Sequence, residues 1–159
     1  MAVVTDANFP KFNGASQSLA GKNVLLYVCY GSTPTTENGP WVLVGGQRNS
    51  PLSMSADEID ASDKASGGWG ETLAGTKKWS IEQECVYKIG DEGANVLRYA
   101  FLNDKPVYIM RRDSDGKAMK GWCNITELSD DNPHDDVATL TVTFSGIGAP
   151  EFVESVEKP

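Results

Sequence analysis

Histidine and cysteine are scarce: one His and three Cys in 159 residues. Nucleophilic catalysis of the Ser-His-Asp or Cys-His kind needs a base beside the nucleophile and a third group to orient it. The lone His134 lies in the acidic stretch "SDDNPHDD", Ser129 to Asp136, and no nucleophile elbow occurs. Cys29, Cys85 and Cys123 are odd in number and far apart, which argues against a disulfide framework and a Cys-x-x-Cys zinc site. They read as buried thiols on strands in a reducing compartment. Cations are scarce too. Fourteen Lys and Arg stand against 22 Asp and Glu, a net charge of −8. The only basic pairs are Lys77-Lys78 and Arg111-Arg112, and neither forms a stripe of the kind that grips phosphates. An acidic surface would instead keep DNA from adhering. No apolar run is long enough to span a bilayer. The opening "MAVVTDANFPKFNGASQSLAGK" lacks a basic start followed by an apolar region, so no secretory signal is expected.

The length suits one domain with a real core. Most of the chain reads as strands. "VLLYVCY" (Val24 to Tyr30) is apolar on both faces, and "WVLVGG" is a second short strand. "KKWSIEQECVYK" alternates: Trp79, Ile81, Cys85 and Tyr87 point one way, Lys78, Ser80, Glu82 and Glu84 the other. "VATLTVTFSG" sets Thr139, Thr141 and Thr143 against Ala138, Leu140, Val142 and Phe144, the strongest period-two signal present. One helix is expected from Asp91 to Asp104, with Asp91 as N-cap, Glu92 in the favourable first turn, and an apolar face of Ala94, Leu97, Ala100 and Phe101. "VYIMRR", "DSDGK" and "AMKGWCNITEL" form a hairpin turned at Asp115-Gly116. The last residues, "APEFVESVEKP", read as an exposed arm. The sum is a mainly β domain, sandwich or barrel-like and mostly antiparallel, with one flanking α-helix.

The motifs that could carry chemistry fail on context. "GWGETL" begins like a dinucleotide-binding loop, but Leu73 stands where the third Gly belongs, Glu71 would repel phosphate, and a strand follows. "DSDG" lacks the spacing and closing Glu of a calcium loop and reads as a turn. The acidic loop at Asp130 to Asp136 offers carboxylates to a hard cation, against the simpler reading of a solvated loop. Glu82 and Glu84 share a strand face and could do acid-base work on sugars, but alternating polar residues opposite an apolar face are what a half-exposed strand shows. Trp41, Trp79 and Trp122 lie in apolar strand patterns, where core packing is the default. Trp69 alone sits in a polar loop, "IDASDKASGGWGETLAG", Ile59 to Gly75, where it reads as a packing anchor or a protein contact. A sugar platform is the less common use of such a residue.

"LVGGQRNSPLSMSADEIDASDKASGGWGETLAGTKKWSIEQECVY", Leu43 to Tyr87, resembles the signature region of the major tail tube proteins of long-tailed (siphovirus-type) bacteriophages and prophages. The later parts agree in order: a "DEG…L" helix, a "PV" strand start, a "DG" hairpin, a "G…ITEL" strand, an acidic loop and a Thr-rich strand ending "FSGIG". The likeness covers about Leu25 to Gly148, which divides the chain into an N-terminal arm (1–23), a tail-tube β domain (24–148) and a C-terminal arm (149–159).

The resemblance implies a structural virion protein, not an enzyme, with no cofactor and no metal. It implies hexameric rings stacked into a tube, and partners in the tape measure and the tail terminator or tip proteins. It also implies a lumen that passes DNA without specific binding, no membrane contact, assembly in the host bacterial cytoplasm and a place in the virion tail. Ile59 to Gly75 is then an assembly loop, with Trp69 as its anchor and Asp57, Ile59, Asp60, Asp63, Lys64 and Glu71 as interface candidates that set register. Its glycines would leave it mobile before assembly. Glu82 and Glu84 are the lumen-facing candidates. The alternative is a non-enzymatic carbohydrate- or receptor-binding β domain, which would stay small in solution and retain a glycan.

Overall fold

The computed structural model describes residues 6–8, 10, 20–37 and 39–159. The expected N-terminal arm, 1–23, thus lies mostly outside the described residues. The elements run β1 (Leu25–Cys29), β2 (Trp41–Leu43), β3 (Gln47–Asn49), β4 (Leu52–Asp60), β5 (Thr72–Val86), α1 (Glu92–Leu102), β6 (Val107–Arg112), β7 (Ala118–Asp131), β8 (Thr139–Gly146) and β9 (Glu151–Val153). All ladders are antiparallel. The strand order is β2-β1-β6-β7-β8-β5-β3, with β4 also on β5 and β9 on β7.

One side chain joins β3, at one end of that path, to β1, the strand next to the other end. The Gln47 amide accepts from the Leu26 N–H at 2.9 Å and donates to the carbonyls of Leu26 (2.8 Å) and Val44 (2.6 Å). A primary amide carries the same donor and acceptor as a peptide unit, so Gln47 supplies a rung between β3 and β1. Arg111 Nε donates to the Ser50 carbonyl at 3.1 Å nearby. The sheet therefore curls into a barrel.

The barrel interior is filled as the alternation requires. Leu140, Val142 and Phe144 are fully buried while Thr139, Thr141 and Thr143 are half-buried. On β5, Trp79, Ile81 and Cys85 point inward and Glu82 outward. α1 starts at Asp91, whose carboxylate accepts from the Ala94 N–H at 3.0 Å and from the Gly45 N–H at 3.2 Å. Its buried residues Gly93, Ala94, Leu97 and Ala100 form one face. Ala94, Leu97 and Ala100 join the barrel core; Phe101 lies off that face and is partly exposed. A second cluster, Tyr27, Met110 and Ala118, sits on the other face of β1, β6 and β7, where Val156 packs on it.

Two boundaries differ from the sequence reading. β4 and β5 extend through Asp60 and from Thr72, so the stretch Ile59 to Gly75 is largely a two-stranded ribbon with a short tip. All of β4 beyond Leu52 is exposed, so it has no hydrophobic alternation to read. The C-terminal arm is exposed but attached: β9 pairs with Ala118–Lys120, and the Val156 N–H donates to the Gly116 carbonyl at 2.8 Å.

Gln83 is fully buried on β5, and its Oε1 is the one buried side-chain oxygen without a partner among the described residues. Its Nε2 donates to the Glu84 carbonyl at 3.0 Å. A buried acceptor without a partner costs about 1–3 kcal/mol, more than one ordinary hydrogen bond returns. Gln83→Leu should therefore stabilise the domain by about 1 kcal/mol, seen as a higher urea midpoint at unchanged slope. Asp91→Ala should have the opposite effect. It removes the N-cap acceptor and strands the Gly45 N–H, a loss of about 1–2 kcal/mol, while Asp91→Asn should keep most of it.

Candidate functional site

Among the described residues no single cleft gathers chemistry. The candidate residues instead fall on two surfaces, the outer ribbon and the wet face of the barrel, and a groove adds a third.

The ribbon ends in a tip ordered by its own hydrogen bonds. Asp60 Oδ1 accepts from the Ser62 N–H at 2.9 Å, and this bond holds the exposed Asp60 carboxyl below its usual range. The Asp63 carboxylate accepts from the Ala65 N–H at 2.9 Å, and Ser66 Oγ accepts from the Asp63 N–H at 3.0 Å. These reciprocal bonds cap the short 3₁₀ turn Lys64–Ser66, which ends at Gly67 in the left-handed region (φ 65°). The Trp69 N–H donates to the Ser66 carbonyl at 3.1 Å. The Glu71 N–H donates to Ser62 Oγ at 2.7 Å, and the Ala61 N–H to the Glu71 carbonyl at 2.8 Å. The tip is thus more ordered than its glycine content implies. Trp69 is 83% exposed, so it does not pack on its own domain. Ile59 and Leu73, opposite each other in register, are both exposed. Asp57 faces Lys78 at 3.7 Å in an exposed pair, worth about 0–1 kcal/mol. Asp57, Ile59, Asp60, Asp63, Lys64, Trp69 and Glu71 are all exposed.

The outward face of β5, β8 and β7 has a regular composition once register is known. Ser80 lies beside Ser145 and then Asn124; Glu82 beside Thr143 and Glu127; Glu84 beside Thr141 and Ser129; Val86 beside Thr139 and Asp131. β4 adds Ser53 beside Ser80 and Ser55 beside Lys78. Val86 is the one apolar side chain among these. The cations are at the flank: Lys78, and Arg48, which approaches Glu84 at 4.0 Å. Among the described residues this face has free edges along β4 and along β7 beyond Cys123, while β3 borders β5 at Glu84 and Cys85. β4 pairs with β5 alone, and β7 beyond Cys123 has β8 on one side and no strand on the other.

The groove lies between α1 and the β1–β2 connection and measures about 910 Å³. Tyr30 (51% exposed), Tyr99 (60%) and Trp122 (44%) rim it, with Glu92 and Lys105 as its charged groups. Tyr108 forms its wall. It stacks edge-on with Trp122 (5.2 Å between centroids) and tilted with Trp41 (5.8 Å), over which Lys120 Nζ sits at 5.6 Å. The apolar strand pattern predicts Trp122 in the core; the structure puts it outside, because Trp79 already fills the interior beside Gly121. The signal was available as Gly121 itself, a strand glycine marking a close approach.

The remaining motifs resolve into structure. Asp113 Oδ1 accepts from the N–H groups of Asp115 and Lys117, and Gly116 takes φ 93°, so "DSDG" is a hairpin turn. His134 and its acidic neighbours form an exposed loop. Burial pushes the Cys85 thiol up to about 11, with Asp91 and Glu84 adding to it, and the Cys123 thiol up to about 12. Both are neutral core side chains at physiological pH. Cys29 is half-buried and its thiol is likewise raised by burial.

Comparison with known proteins places this geometry in context. A family model described as phage tail tube protein matches residues 18–152. No curated protein matches significantly. Among solved structures, the tail of an empty gene transfer agent particle, refined helically with C6 symmetry, is similar at TM-score 0.72 and 24% identity, over 86% of this chain and 99% of that one. The virion of a native gene transfer agent gives 0.71 at 21% identity, over 86% and 99%. The SPP1 tail tube gives 0.70 at 14% identity, over 88% and 81%.

Proposed function

The chain belongs to the phage tail tube protein family, a structural component of the virion tail, and from that premise we propose that it self-associates into six-membered rings that stack into a DNA-conducting tube. The observation that carries the reading is the polar face of β4, β5, β8 and β7, with free edges on β4 and on the outer part of β7. An open edge is a template for another strand. Joining the free edge of β7 in one copy to β4 in the next continues the sheet, and the contact is heterologous, so it closes into a ring when the rotation allows. The wall so made presents hydroxyls, Glu82, Glu84, Glu127 and Asp131 to the channel. Carboxylates there repel phosphate, and neutral hydroxyls hold it weakly, so DNA slides.

In this reading residues 24–148 form the tube domain and 149–159 an arm. The interface is carried by the tip residues Asp57, Ile59, Asp60, Asp63, Lys64, Trp69 and Glu71. The tape measure would occupy the lumen before the genome does, terminator and tip proteins would cap the two ends, and assembly would take place in the host cytoplasm. The protein acts without a cofactor and performs no catalysis. The similarity of the gene transfer agent and SPP1 tails supports the fold on which this rests.

The test is direct. Concentrated purified protein should give rings or tubes of constant diameter in negative stain and a fast-sedimenting species that grows with concentration. A strictly monomeric species across concentration and salt would overturn the reading.

A further inference from the structure

We infer that the Trp69 tip of one copy seats in the groove between α1 and the β1–β2 connection of a second copy of this chain. This rests on the self-association proposed above and names the surfaces that make it.

Four observations converge. First, the tip is built to hold an indole outside its own domain. The capping bonds of Asp63 and Ser66 and the Trp69 N–H bond to Ser66 fix the backbone, while the ring stays 83% exposed. With the backbone already fixed, only the two side-chain torsions remain to be ordered on contact, which keeps the cost of docking an aromatic anchor low.

Second, neither its φ nor its neighbours among the described residues require Gly70 to be glycine. Its φ is outside the left-handed region, and a Cβ there would meet nothing nearer than Ser62 Oγ at 3.8 Å, an ordinary contact. Gly67 and Gly68 differ, with φ of 65° and 86°. A bare backbone beside Trp69 serves a surface that approaches from outside.

Third, the groove is of the kind that takes such a group. At about 910 Å³ it exceeds one indole and has room for the glycine backbone on either side. Tyr99, Tyr30 and Trp122 offer aromatic faces around it. Fourth, charges of opposite sign are available on both sides, with Asp60 and Asp63 adding to the acidity of the tip. Lys64 and Glu71 flank the tip, and Glu92 and Lys105 line the groove. Knob and groove are different patches of the same chain, so each copy keeps one of each free for the next, and the contact propagates instead of stopping at a dimer.

The experiment uses the full chain and measures both monomer unfolding and assembly. Trp69→Ala and Gly70→Ala should leave thermal unfolding of the monomer unchanged within about a degree. Trp69→Ala should raise the concentration needed for assembly about 30-fold or more, as loss of an anchor does. Glu71→Lys and Lys105→Glu should each weaken assembly, and the two combined in one chain should restore it. A several-degree fall in monomer melting for Trp69→Ala would place the ring on its own domain and overturn the inference. So would single reversals without effect, or a double reversal no better than the singles, in a wild type that assembles normally. A wild type that never assembles would overturn the function reading itself.

Discussion

Trp79→Ala is expected to cost the monomer about 3–5 kcal/mol, the range for removing a buried large aromatic. Trp79 is 5% exposed, and its ring is the wall against which two other strands are built. A Cβ on Gly121 would lie 2.7 Å from Trp79 Cζ2, and one on Gly146 would overlap the ring outright. The indole Nε1 donates to the Gly148 carbonyl at 2.9 Å, so the side chain also holds the turn that leads to β9. Alanine leaves a cavity bordered by glycines, which have no side chains with which to fill it. For a domain of this length the loss corresponds to a fall in melting temperature of about 6–20 °C. Trp79→Phe should lose less, since it keeps most of the apolar volume and gives up the Gly148 bond. Gly146→Val should be damaging as well, for the reciprocal reason. An unchanged unfolding midpoint for Trp79→Ala would mean that the ring does not occupy the barrel. Trp69 is expected to behave in the opposite way: one tryptophan sets the stability of the monomer and the other sets only assembly.

The two tryptophans also mark where the sequence was legible. Trp79 could be placed because it alternates with Ile81 and Cys85 opposite charged neighbours. β8 was legible for the same reason, with Thr139, Thr141 and Thr143 against Leu140, Val142 and Phe144. α1 was legible because Asp91 caps it and Ala94, Leu97 and Ala100 repeat on one face. These signals are local, and burial on one side imposes them. β3, β4 and the outer part of β5 carry no such pattern, because they bury little on either face and their pairing is decided by backbone hydrogen bonds. Barrel closure is not local either. It depends on Gln47 reaching Leu26, a contact across 21 residues that no periodicity encodes. The groove is still less legible: Tyr30, Tyr99 and Trp122 come from three separate elements and meet only once the barrel has closed. Glu82 and Glu84 were recognisable as a wet face from one strand, but the extent of that face appears only when register aligns them with Thr143, Thr141, Glu127 and Ser129.

Assembled tubes in which Glu82 and Glu84 are both reversed to lysine are expected to retain DNA that the wild type releases. Folding should survive the change. Glu82 is exposed, and Glu84 is half-exposed with only a 4.0 Å contact to Arg48, an arrangement that contributes at most about 1 kcal/mol. Each reversal replaces a negative charge with a positive one, and in the proposed tube it does so in every subunit. A wall that repels phosphate becomes one that neutralises it and releases its counterions. Retention should therefore be steep in salt. For 6–10 phosphate contacts, affinity falls about 10³–10⁵-fold between about 50 and about 200 mM salt. Binding alone does not identify the lumen, since an outward-facing lysine pair would also hold DNA. The discriminating measurement is nuclease protection of short duplexes that sediment with the tubes. Duplex held in the channel should resist digestion, whereas duplex on the outer wall should be cut. Reversing Glu154 and Glu157, exposed on the C-terminal arm, supplies the control: the same change in charge, with no protected DNA expected. Protected DNA with the β5 variant alone assigns the polar face to the channel. Normal assembly without retention, or retention without protection, would put Glu82 and Glu84 on another surface of the tube.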